Sequence, residues 1–151
     1  MRIAIVDTAF EPQTELAAFE AANPAHGALA SFVGRCRAQA HGEAVQVLEL
    51  QHYPGFTETT IAAFAEEVMA RGAIHDVLVV HRVGAIAPGE AIVLVAAASA
   101  HRAAAFNVVE ELMDFLKTDA PLWKREIAAG GARWVEPTDA DLQRRAKGAK
   151  S

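Results

Sequence analysis

Apolar residues along the chain alternate between short continuous runs and stripes of helical spacing, so strands and helices are expected in turn. Met1 to Val6 reads as a short strand. Pro12 to Ala22 reads as a helix, with proline near its start and Leu16 and Phe19 on its inner side, closed by Asn23-Pro24. Gly27 to Val33 is a second strand that runs into Gly34-Arg35-Cys36-Arg37 and a polar loop to Gly42. In the next strand Val45, Val47, Glu49 and Gln51 alternate against Gln46, Leu48, Leu50 and His52, and either set could face inward. His52-Tyr53-Pro54-Gly55 then turns into a helix beginning near Thr57, with Ile61, Phe64, Ala65, Val68 and Met69 as its stripe and Gly72 as its stop.

Asp76 to Val83 and Glu90 to Ala98 read as two strands joined by a turn containing Pro88-Gly89. Ser99 is expected to cap a helix whose first turn holds Ala100, His101 and Arg102. Its stripe is Ala105, Val108, Val109, Leu112, Phe115 and Leu116, and it stops near Lys117 because Pro121 disfavours helix before it. Beyond Pro121, period two places Leu122, Lys124 and Glu126 on one strand face and Trp123, Arg125 and Ile127 on the other. A return strand carrying Arg133 and Trp134 is expected across Ala129-Gly130-Gly131, and the polar tail from about Thr138 reads as a frayed helix. With no repeat, linker or low-complexity segment, residues 1–151 are expected to form one α+β domain with an antiparallel sheet and about three main helices.

Composition narrows the function classes. A chain of 151 residues that is 52% hydrophobic can bury a real core, and a net charge of -5 disfavours a general nucleic-acid binder. Yet Arg35, Arg37, Arg102, Lys117, Lys124 and Arg125 gather in a few short stretches, which points to a local pocket for a small anionic ligand. His101 and Arg102 sit at a helix start, where an anion is welcome and an arginine runs against the helix dipole. Lys117, at the other end, has a plain alternative role in complementing that dipole.

No apolar run approaches the length of a membrane span, and Met1 to Val6 is too short for a signal-peptide core, so a cytoplasmic protein that meets neither membrane nor nucleic acid is expected. The histidines show no metal-ligand spacing, and neither a metal nor a cofactor is expected. Cys36, flanked by arginines, would have a depressed pKa and could act as a nucleophile, although a lone cysteine is more often inert. Trp123 and Trp134 read as core or interface residues, and Arg125 as an ion-pair partner.

Seven stretches carry a resemblance: Phe32-Val33-Gly34-Arg35-Cys36-Arg37, Glu49-Leu50-Gln51-His52-Tyr53-Pro54-Gly55, His81-Arg82-Val83-Gly84, Pro88-Gly89-Glu90, Ser99-Ala100-His101-Arg102, the run Leu116 to Glu126, and Arg133-Trp134-Val135-Glu136. In order and spacing they closely resemble the catalytic (large) subunits of molybdopterin synthases, over nearly the whole chain from about Gly27 to Glu136. The resemblance implies an α/β-hammerhead fold. It also implies a homodimer with one small ubiquitin-like sulfur carrier on each subunit, a heterotetramer in all, whose carrier ends in a Gly-Gly thiocarboxylate. Such enzymes insert two sulfurs into cyclic pyranopterin monophosphate to form the molybdopterin dithiolene.

Position by position, Arg37, His101, Arg102, Lys117, Lys124 and Glu126 match the pocket for substrate and carrier tail, with Arg35, Cys36 and Arg125 beside them. Lys117 and Lys124 are the expected catalytic pair, and Arg37, His101 and Arg102 are expected to converge on the substrate phosphate. Clustered cations favour proton transfer by a lysine. The family commonly has an aliphatic residue where this chain has Cys36. Two other readings use the same residues: a non-catalytic domain that binds a phosphorylated ligand or an acidic tail, and a thiol enzyme dependent on Cys36.

Overall fold

A strand covered on both faces is apolar throughout rather than alternating, and the apolar runs Val77 to Val80 and Ala91 to Ala98 prove to be adjacent strands of this kind. The computed structural model describes residues 1–148. In chain order the elements are β1 (Arg2–Val6), α1 (Pro12–Ala22), β2 (Ala28–Arg35), β3 (Gln39–Ala40), β4 (Glu43–His52), α2 (Phe56–Arg71), β5 (Ile74–Arg82), β6 (Gly84–Ile86), β7 (Ala91–Ser99), α3 (Arg102–Thr118), β8 (Leu122–Ala128), β9 (Gly131–Val135) and α4 (Asp139–Gly148).

One sheet has the order β1-β5-β7-β2, antiparallel except for the parallel pair β1-β5. Val77, Val79, Val93, Val95 and Ala97 point from β5 and β7 into a core shared with Ile61, Phe64 and Val68 of α2 and Val108, Leu112 and Phe115 of α3. Phe64 and Phe115 stack there with centroids 4.2 Å apart. The intervening residues Leu78, Val80, Leu94, Ala96 and Ala98 point the other way, against Phe19 of α1. Each large side chain buried so completely contributes about 1.5–3 kcal/mol.

The second sheet runs β3-β4-β8-β9, with β6 also paired to β4, over a smaller core of Cys36, Ala40, Val45, Leu48, Leu50, Val83 and Ile86. The expected α+β class therefore holds, with four helices among the described residues instead of about three. The facing of β4 is now settled. Val45 and the pair Leu48 and Leu50 belong to opposite alternating sets, yet all three are buried, because a bulge between Val45 and Val47 switches the parity of the strand.

Two expectations are corrected. Ser99 does not cap α3: its backbone is held between Ala28 of β2 and Ile74 of β5, and sheet pairing on both sides keeps it extended. Its hydroxyl donates to the carbonyl of His101 at 2.6 Å, and the helix starts two residues later than expected, with His101 at the N-cap. The polar tail is also not frayed within the described residues, since α4 packs on α3.

The start of α2 also fixes the bend that precedes β8. Gly55, at φ 81°, takes a conformation that favours glycine, and its N–H donates to Glu58 at 2.7 Å. One turn on, fully buried Thr57 accepts from the Tyr53 N–H at 3.1 Å and donates to the Pro121 carbonyl at 3.1 Å. The segment between Lys117 and Lys124 is thereby tied to a helix start far away in sequence.

Candidate active site

Lys117 is carried in the last turn of α3, and Lys124 two residues into β8 after the Pro121 bend. Both open onto one pocket of about 770 Å³. Arg37 reaches it from the segment after β2, Trp123 joins Lys124 from β8, and Trp134 and Glu136 close the side of β9. Thr138 and Asp141, at the start of α4, complete the wall with Asp119. Trp123 and Trp134, expected in a core or interface, are 43% and 52% exposed and form part of this lining.

Charge is unevenly compensated in the pocket. Half-buried Lys124 has its pKa lowered by loss of hydration and then by the nearby Lys117 ammonium, against a smaller opposing pull from Asp141. An ammonium in that position is primed to give up its proton more easily than an ordinary lysine. Lys117 is held by Asp141, whose Oδ1 lies 3.2 Å from Nζ. Burial pushes the Asp141 carboxyl up, but bonds from Thr138 and the Lys117 charge outweigh it and hold the pKa at about 2. Behind Lys124, fully buried His81 is driven down to about 3 by desolvation and by the Lys124 charge. His81 is therefore a neutral imidazole whose Nδ1–H donates to the Arg82 carbonyl at 2.9 Å.

Of the residues singled out in the sequence, Arg37, Lys117 and Lys124 share this pocket. His101 and Arg102 do not. They are exposed at the opposite end of α3, and 17 helical residues span roughly 25 Å, so one chain does not bring them together with Arg37. Arg35 donates to the Gly89 carbonyl at 3.0 Å and lies outside the pocket lining. Arg125 faces away from Lys124, donates to Glu49 at 2.5 Å and covers the Trp134 ring at 5.5 Å, an ion pair as its strand parity suggests. Half-buried Glu126 keeps one carboxylate oxygen buried, with no hydrogen-bond partner among the described residues.

The environment of Cys36 overturns the expected depression of its pKa. Burial pushes the thiol up, Glu126 and Glu90 push the same way, and Arg37 opposes them only weakly. Its sequence neighbour Arg35 points to Gly89, and the thiol is buried at 4% exposure in the second core. A buried thiol with a raised pKa is a small apolar side chain and not a nucleophile. Cys36→Ala should cost about 1 kcal/mol in a thermal or urea melt. Turnover should stay within about twofold of the parent, and loss of activity with an unchanged melt would restore the thiol to the mechanism.

Asp141 escaped notice because it lies in a stretch that reads as polar tail. One signal was available: Thr138-Asp139-Ala140-Asp141 has the spacing of a capping box. In the folded chain the Thr138 N–H and hydroxyl donate to Asp141 Oδ2 at 3.0 and 2.7 Å, and the Asp141 N–H returns a bond to the Thr138 hydroxyl at 3.3 Å.

The family model described as MoaE protein matches residues 5–119. The molybdopterin synthase catalytic subunit of Caulobacter vibrioides is 48% identical over 141 residues, covering 93% of each chain. Among solved structures, the molybdopterin biosynthesis MoaE protein of Burkholderia ambifaria superposes with a TM-score of 0.78 at 44% identity, over 95% of this chain and 97% of that one. The molybdopterin synthase of Staphylococcus aureus gives 0.79 at 26% identity, over 89% and 98%.

Proposed function

Because the chain belongs to the MoaE protein family, we infer that it is the catalytic subunit of a molybdopterin synthase, an enzyme of molybdenum cofactor biosynthesis. The reaction assigned to it is sulfur transfer from the C-terminal thiocarboxylate of a small ubiquitin-like carrier to cyclic pyranopterin monophosphate. The observation that carries this reading is one pocket in which Arg37 and two lysines converge, Lys124 with its ammonium partly stripped of water. In the first half of each transfer the thiocarboxylate sulfur attacks an oxygen-bearing side-chain carbon of the pterin, a C–O bond at that carbon breaks with its oxygen leaving as water or on the opened phosphate, and a thioester joins carrier to substrate. Water then attacks the acyl carbon, the acyl C–S bond breaks, sulfur stays on the pterin as thiolate, and the carrier leaves as a carboxylate. Two carriers supply the two sulfurs of the dithiolene.

Lys117 is assigned to the acyl group of the tail, where negative charge develops on oxygen during hydrolysis. Lys124 is assigned to proton transfer, and Arg37 to an anionic group of the substrate. His101 and Arg102 lie a helix length away, so they serve the same pocket only if a second copy of the chain presents them, as the expected homodimer would.

Mixing the purified chain with thiocarboxylated carrier and cyclic pyranopterin monophosphate tests the reading. Dithiolene product and carrier returned as carboxylate are expected. Binding of both ligands without product, over hours and at saturating concentrations, would instead leave a non-catalytic binding domain.

A further inference from the structure

The last helix of the chain meets the catalytic lysine directly, and its contact is built in a way that a casual surface ion pair is not. Asp141 is 8% exposed in its side chain, and its two oxygens are divided between two tasks. Oδ2 is held by the Thr138 N–H and hydroxyl, which fixes the plane of the carboxylate, and Oδ1 faces both Arg144 and, at 3.2 Å, Lys117 Nζ. Arg144 also donates to Asp141 and reaches Asp114 of α3 at 3.3 Å. One turn further, Arg145 bonds Asp119 at 2.5 Å and lies 4.7 Å over the Phe64 ring. The helix thus has anchors on α3 and its C-cap besides Lys117, and Asp141 Oδ1 is shared between Arg144 of its own helix and that lysine.

We propose that Asp141 is a positioning residue of this active site, carried on α4 to fix the Lys117 ammonium at the pocket wall and to offset the paired positive charge of Lys117 and Lys124. The proposal rests on the reading that Lys117 acts on the carrier tail. A lysine side chain is long and freely rotating, and a carboxylate of fixed orientation removes that freedom before substrate arrives. Its charge matters as well. Lys124 is faced by Lys117 from α3, Asp141 from α4, His81 from β5, and Arg37, Asp119 and Glu136 around the pocket. Within this set Asp141 raises the Lys124 pKa and Lys117 lowers it.

The test uses the full chain assembled with its carrier. Asp141→Asn keeps the shape and an acceptor for the Thr138 N–H but removes the charge. It should lower single-turnover dithiolene formation by roughly tenfold, with carrier affinity within about twofold. Amine labelling of Lys124 across a pH series, read by mass spectrometry, is independent of activity. Its midpoint should move to lower pH in Asp141→Asn and to higher pH in Lys117→Gln, a pair of opposite shifts that a purely structural role for Asp141 does not produce. In the Lys117→Ala background, Asp141→Asn should slow the residual reaction far less than it slows the parent, by about twofold at most.

Parental turnover in Asp141→Asn, with Lys117→Ala inactive, overturns this proposal alone. Parental turnover in Lys117→Ala removes the assignment of Lys117 and the proposal with it. If Asp141→Asn loses its fold, Thr138→Val carries the same test, since it keeps the charge and the backbone bond but removes the hydroxyl, one of the two donors that fix the carboxylate. It should slow turnover several-fold, and parental turnover there overturns the proposal.

Discussion

Lys117→Ala should slow dithiolene formation by about 10³-fold, while the chain should keep its fold and still bind carrier. The side chain is 43% exposed and contributes little packing, so its removal leaves the α3 core of Leu112, Phe115 and Leu116 intact. What should disappear, on the proposed role of Lys117, is a fixed positive charge beside the acyl oxygen of the thioester as water adds. Such charge stabilisation is strong only where the donor is already in place, and Lys117 is held by the last turn of α3, by the bend that Thr57 ties down and by Asp141. Lys117→Arg should not restore the rate, because a planar guanidinium differs in shape and reach from the compact ammonium that Asp141 holds at the pocket wall. The measurement is single-turnover product formation at saturating carrier and pterin, with carrier affinity measured in parallel. A rate close to the parent in Lys117→Ala would confine this lysine to complementing the helix dipole and pass the catalytic role to Lys124.

Lys124→Met separates activity from stability in opposite directions. Product formation should fall by about 10²-fold, because the group assigned to proton transfer is gone. The protein should nevertheless become more stable at neutral pH. The folded-state pKa of Lys124 is lowered, so between that value and the ordinary 10.5 the unfolded chain binds more protons than the folded one. The cost of keeping this ammonium in the fold is therefore full below the folded pKa and fades as pH rises toward 10.5. Methionine fills a similar volume without charge and removes the cost. Melting temperatures of parent and variant should differ most at neutral pH and converge in alkali. A melting temperature lowered at neutral pH would mean that Lys124 is structurally supported by its neighbours and not merely tolerated.

The sequence was most readable where local chemistry and tertiary packing agree. Pro12 and Asn23-Pro24 bracket α1, Gly72 ends α2, and the buried runs of β5 and β7 could hardly be anything but inner strands. Readability failed where a long-range partner decides. Ser99 has the chemistry of a cap, but two flanking strands claim its backbone. Val45 and Leu48 share a core only because of a bulge that alternation does not announce. Cys36 sits between arginines in sequence and near carboxylates in space.

The candidate site divides the same way. Arg37, Lys117 and Lys124 were recognisable, and the fold brings them together. Asp141 was hidden because a polar segment gives no apolar stripe by which to foresee its docking. His101 and Arg102 were recognisable as an anion-seeking helix start at the end opposite Lys117, but nothing in a linear reading reveals that Arg37 lies at the Lys117 end.

The pairing of β4 with β8 has a consequence for how this molecule is made. Glu49 and Arg125, partners across those strands, are 76 residues apart in the chain, and Lys117 meets Asp141 only after α4 has been added. Contacts of such wide sequence separation close late, after the loop entropy they demand has been offset elsewhere. During synthesis, the sheet of β1, β5, β7 and β2 has all its strands before β8 leaves the ribosome. A nascent chain therefore has a core before it has a pocket, and the lysine-lined cleft closes only once β8, β9 and the start of α4 are in place.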